Sequence, residues 1–224
     1  MKDKTPERPA LQVQWKTEKK LLTLEKIPVL ELTLSYPQTL GGGAGGARIN
    51  RYYQKLAQAW RSRWGRETYC WACIDLVRCR EAGRRFHAWQ ACLEGEVRFQ
   101  DADGLSIRMD AREVRGDGRP LQVSTGDNWT LPDGVPLPSG RCLPRKRRNR
   151  LVKELQAQGE ARRAAGDCFL DRDFAQRLPR MLSPHRCCRT AEGWEFYIPQ
   201  CVLAPAVEGV VTLSLPAGAA GAPV

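Results

Sequence analysis

Cys70 and Cys73, three positions apart, and the adjacent Cys187 and Cys188 come closest in this sequence to a metal-ligand spacing. Four such thiolates would hold a zinc ion tetrahedrally. The first pair, however, falls in a stretch of helical period that needs small apolar residues there, whereas zinc fingers and ribbons carry such pairs on turns. The nine cysteines (70, 73, 79, 92, 142, 168, 187, 188 and 201) are an odd number without framework spacing. We read most of them as small buried hydrophobes in a reducing compartment. His87 and His185 are the only histidines, and nothing in the sequence places a carboxylate beside either, so no triad or histidine base is assigned. Asp101 and Asp103 suit a turn, and Asp171 and Asp173 suit a helix start. No catalytic, cofactor or metal residue is assigned, and the chain is read as non-enzymatic.

Two further features are candidates for anion chemistry. Gly41, Gly43 and Gly46 fit G-x-G-x-x-G between a strand and a helix, where backbone amides and a helix N-terminus can hold phosphate. No second parallel strand with an acidic end follows about twenty positions on; Glu67 falls within the helix, and the next strands read as a meander. The run of residues 41–46 is therefore read as a flexible linker, the alternative being an anion site of a nucleotide-using enzyme. Arg145, Lys146, Arg147, Arg148 and Arg150 form the densest basic run of a chain whose net charge is +11. With Trp129 nearby they make a candidate polyanion patch for nucleic acid, although no nucleic-acid-binding motif accompanies them.

The elements that must position these groups follow from periodicity. Leu30, Leu32 and Leu34 alternate with Glu31 and Thr33, giving a strand over residues 29–36. Ile49, Tyr53, Leu56, Trp60, Trp64, Glu67, Trp71 and Ile74 recur three or four apart, which predicts one amphipathic helix over 48–82 whose Tyr53, Leu56, Trp60, Trp64 and Trp71 cover a sheet. Gly65 is its weak point. Strands at 94–100, 105–111 and 121–125, joined by Asp-Gly turns, predict an antiparallel meander. A Pro-rich connection, a basic helix over 146–164 and a short helix over 171–178 come next, and residues 187–189 then pair with 194–198. The fold class is α+β: an antiparallel sheet packed by one long helix, with a second helix and a closing C-terminal strand. Residues 1–26 are expected as an N-terminal extension with a short hairpin, 27–216 as a single domain and 217–224 as a disordered tail. No stretch approaches the ~20 apolar residues of a membrane helix, and no secretory signal opens the chain, which makes the cytoplasm the expected compartment.

The last structured stretch carries a resemblance. Residues 193–209 place Tyr197, Pro199, Gln200, Ala204, Pro205, Glu208 and Gly209 after an aromatic strand and before the apolar strand 210–215. With the block at 126–138 (GDNWTLPDGVPLP), this resembles the RsiV-like domain of Gram-positive bacteria: the extracellular part of a lysozyme-sensing anti-sigma factor, also found beside some peptidoglycan deacetylases. Cys201 stands where that family carries an aromatic, and Ala206 and Val207 replace a position that is often tyrosine. The resemblance implies a stand-alone, non-enzymatic binding module without cofactor, engaging a protein partner through Tyr197, Pro199, Gln200, Pro205 and Glu208.

Overall fold

The computed structural model describes residues 11–131 and 133–217, with Ser139 described by its backbone only. The expectations for residues 1–10 and 218–224 lie outside these. Glu25 and Lys26 both take left-handed φ (50° and 69°), the pair of conformations that a type I′ hairpin turn requires. They join β1 (Gln12–Leu24) to β2 (Ile27–Leu40), antiparallel along their whole length. The short hairpin expected within the first 26 residues is thus a single strand. Its lysines, read as a turn, blunt the outer edge of the sheet instead.

After β2 the chain crosses the sheet in an unbroken helical segment. This comprises α1 (Gly43–Arg63), a π-helical turn (Trp64–Thr68) and α2 (Tyr69–Glu81). It returns as β3 (Trp89–Gln100), which pairs parallel with β2. One pair of strands in the sheet is therefore parallel, as a helical crossover of this length demands. The expected meander then runs antiparallel through β4 (Gly104–Val114), β5 (Pro120–Thr130) and the short β6 (Val135–Pro136), so that the six strands lie in sequence order.

The π turn rewrites the inward stripe of the helix. Tyr53 and Trp64 are fully buried, and Leu56 and Trp60 are partly buried against the same core. Trp71, expected to face the sheet, is 57% exposed. A π turn holds one more residue than the α-helical turn it replaces, which rotates everything after it by about 100°. Thr68, Ala72, Leu76 and Cys79 take the inward positions, and Trp71 is carried outward.

The second half has its own core. α3 (Arg148–Ala165) and α4 (Phe174–Met181) lie beside an antiparallel sheet of β7 (Cys187–Arg189), β8 (Gly193–Ile198) and β9 (Val211–Pro216). The expected pairing of 187–189 with 194–198 is present, with Cys187 opposite Phe196. Leu151, Leu155, Phe174, Leu178, Phe196 and Leu213 form this core, distinct from that under α1. The two sheets meet where β5 passes β7: Asn128 Nδ2 donates to the Cys187 carbonyl at 2.8 Å, and its Oδ1 accepts from Arg189 N–H at 3.0 Å. Gly126 makes that approach feasible, since a Cβ there would lie 2.1 Å from the Cys187 carbonyl oxygen. The architecture is α+β, as expected.

Candidate functional site

Three of the five residues expected at a protein interface, Tyr197, Gln200 and Glu208, make hydrogen bonds within the chain itself. Tyr197 is 1% exposed. Its hydroxyl donates to Glu195 at 3.1 Å, and the Arg108 guanidinium lies 4.7 Å from its ring centre. Glu195 in turn accepts from Arg98 at 2.6 Å, so Tyr197 belongs to the polar joint between the sheets. Burial pushes its phenol well above the ordinary value and raises the neighbouring Cys188 thiol to about 12.

Gln200 saturates its amide: Oε1 accepts from Gln122 N–H at 2.8 Å, while Nε2 donates to the carbonyls of Pro120 at 2.9 Å and Ala206 at 2.8 Å. Glu208 accepts from Phe169 N–H at 3.0 Å. Pro199 is partly buried, and the exposed Pro205 leads into a single 3-10 turn, Ala206–Glu208. The loop of residues 199–210 is thereby fastened to the start of β5 and to the segment before α4.

What the frame presents to solvent was not read from the sequence. Val207 is 82% exposed and Phe169 67%, flanking the Glu208 contact. Leu121 and Val123, on the part of β5 that Gln200 grips, are 44% and 47% exposed. The one signal was the replacement of an often-tyrosine position by Ala206 and Val207. Phe169 sits in an aperiodic stretch and gave none.

The glycine run is not a linker. Gly43 begins α1, Gly45 and Gly46 are buried, and a Cβ at Gly46 would lie 2.4 Å from the Gly41 carbonyl oxygen. The run lines a cleft of about 1290 Å³ whose other walls include Arg48, Asp101, Leu131 and Asp133. Arg48 donates to the Asp133 carbonyl at 3.0 Å. Two carboxylates share this space with the helix N-terminus, so its electrostatics do not single out a phosphate.

In the basic run, Arg148 donates to the Pro179 carbonyl and Arg150 pairs with Glu154, each at 2.9 Å. Arg145, Lys146 and Arg147 form no ion pair among the described residues. Trp129, expected beside this patch, is a core residue on β5 whose Nε1 donates to Tyr53 at 3.1 Å.

The four candidate zinc cysteines are divided between the two cores: Cys73 packs against the first and Cys187 lies within the second, while Cys70 is exposed. A different polar cluster was missed. Asp127 Oδ1 accepts from the Tyr52 hydroxyl at 2.9 Å, Tyr52 packs edge-on to Tyr53 and Trp129 at 5.0 Å each, and His185 lies within electrostatic reach of the carboxylate. Burial raises the Asp127 carboxyl above its ordinary value, and Oδ2 is buried without a partner among the described residues. No period marks this cluster, because β5 and α1 contribute to it from opposite layers.

No helix among the described residues is long and apolar enough to cross a membrane. No protein-family model and no curated protein matches the sequence. Solved structures nevertheless share the architecture. A DUF3298 family member from Bacteroides fragilis NCTC 9343 superposes with a TM-score of 0.68 at 13% identity, over 94% of this chain and 92% of that one. A DUF3298 family protein from Pseudomonas aeruginosa PAO1 gives 0.62 at 13% identity, over 93% and 92%. The fold of this chain is that of the DUF3298 proteins.

Proposed function

We propose that this chain is a non-enzymatic binding module of the RsiV-like type, engaging a protein partner through the loop of residues 199–210 and the adjoining start of β5. The observation that carries this is that two of the most exposed large apolar side chains, Val207 on the loop held by Gln200 and Phe169 on the segment held by Glu208, flank one fastening point. Exposed apolar groups on an ordered frame lose little entropy on binding and suit a protein interface. The C-terminal sequence resemblance and the DUF3298 fold support the same reading. The test is affinity capture from native lysate, with and without nuclease, using the wild type and Phe169→Ser/Val207→Ser. Protein capture that survives nuclease and moderate salt and is lost in the variant, at unchanged melting temperature, is the expected result. Equal capture by both refutes the surface.

A second reading, a polyanion binder, is favoured by one observation: Arg145, Lys146 and Arg147 precede α3 without an ion pair among the described residues. Such binding would fall by roughly a thousandfold between about 50 and 200 mM salt for 6 to 10 phosphate contacts. It would also vanish when those residues become alanine.

A further inference from the structure

Trp71, which the π turn carries outward, has apolar company on α2. Cys70, Trp71, Ile74 and Val77 fall on one face of that helix, at the spacing that makes side chains neighbours. Trp71 is 57% and Val77 43% exposed, Cys70 is exposed, and Ile74 is partly so. None of the four belongs to either core. Contiguous exposed apolar side chains mark interaction surfaces, and π turns inside α-helices are frequent at functional sites. Two charges bound the face: Glu67 one turn before Trp71 and Arg78 one turn after Ile74, both exposed. Neither forms an ion pair among the described residues.

We propose that this face of α2 docks a second copy of the chain, antiparallel about a two-fold axis. The charge pattern selects that occupant. With Trp71 of one copy set against Ile74 of the other, the same antiparallel register brings Cys70 beside Val77 and Glu67 opposite Arg78. Two-fold symmetry repeats each contact. Apolar side chains then meet at the centre, and each end closes with an ion pair that the single chain lacks. A parallel arrangement would set Glu67 against Glu67 and Arg78 against Arg78, and repulsion opposes it. The contact spans about three helical turns, below the ordinary size of an interface, so the dimer dissociates on the order of 10 to 100 µM. At the low micromolar concentrations of an unfolding experiment the chain is monomeric.

The test is sedimentation velocity of the full chain over roughly 5 to 500 µM, which brackets that affinity. The expected result is a concentration-dependent shift from the 25.2 kDa monomer to a species of twice that mass. Trp71→Ala should weaken the dimer at least about tenfold, as loss of a central aromatic anchor does. Glu67→Arg and Arg78→Glu should each weaken it about tenfold, because each sets like charges opposite at both ends. The double variant Glu67→Arg/Arg78→Glu reverses both partners and should restore the wild-type constant. These side chains are exposed, so every variant should melt like the wild type at low concentration. Phe169→Ser/Val207→Ser should leave the dimer intact, which separates this surface from the loop of residues 199–210. A wild type that stays monomeric at the highest concentration overturns the proposal, as does a dimer indifferent to Trp71→Ala. A double variant no tighter than its single parents overturns the antiparallel register and the proposal with it.

Discussion

Trp64 and Trp71 belong to one helical segment, and a continuous α-helix would point both at the sheet. The π turn separates them, so truncating each measures the phase shift directly. Trp64 is fully buried, stacks on Trp60 with ring centres 4.9 Å apart, and donates from Nε1 to Glu113 Oε1 at 2.9 Å. Removing a buried tryptophan costs about 3 to 5 kcal/mol through the cavity it leaves. Stripping a buried carboxylate of its donor adds about 1 to 3 kcal/mol. Glu113 keeps Arg63 at 3.9 Å and Arg115 at 3.6 Å, which places the sum for Trp64→Ala near the lower end, about 4 to 6 kcal/mol. That is a large fraction of the stability of an ordinary domain. Trp64→Phe keeps most of the ring but loses the N–H, and should cost about 1 to 3 kcal/mol. Trp71→Ala, at a 57% exposed position, should stay within about 0.5 kcal/mol of the wild type. Urea unfolding followed by far-ultraviolet circular dichroism resolves these differences as shifts of the midpoint at constant slope. A loss of 3 kcal/mol or more for Trp71→Ala would refute the reasoning, because the helix would then keep its phase through residues 64–68.

Gly126→Ala should destabilise by at least about 2 kcal/mol, since its Cβ would meet the backbone of Cys187 at 2.1 and 2.5 Å. Gly65→Ala, with nothing within 4 Å of the added carbon, should be neutral or stabilising by up to about 1 kcal/mol; thermal unfolding of both checks the contrast. Burial holds the folded Asp127 carboxyl above its ordinary 3.8, so the stability it contributes is present below that value and lost as pH rises through the folded one. Asp127→Asn should therefore melt above the wild type at pH 7, with the gap closing as pH falls toward 4; a gap that widens on acidification contradicts this. Gln200→Ala removes three hydrogen bonds at once and should cost about 1 to 3 kcal/mol, with limited proteolysis newly cutting residues 199–210; unchanged cleavage would mean the loop is held elsewhere.

Local patterns were legible in the chain itself. Period-two alternation placed β2, β4, β5 and β8, a continuous apolar run placed β9, Asp-Gly turns joined the meander, and the α+β class followed from their order. The helix was legible up to Trp64, because its stripe is written in residues three or four apart. Beyond that point the inward face was decided by one extra residue in the turn Trp64–Thr68. The π turn is adopted because Ala72 and Leu76 then pack on the sheet, a gain visible only with the sheet present. The direction of β3 was likewise undetermined, since a strand's own residues do not record which way its neighbour runs. Polar groups fared worst. Tyr197 and Gln200 stand out in sequence, and the tertiary structure makes Tyr197 part of the joint between sheets and Gln200 a clamp. Phe169 and Val207 look ordinary until the fold leaves them uncovered. Cys142 and Cys187 lie 45 positions apart, and only the tertiary structure buries both in one core. Short-range order is set by steric and hydrogen-bond preferences that each residue carries with it, whereas proximity across the chain is set by how two cores close, which no single segment contains.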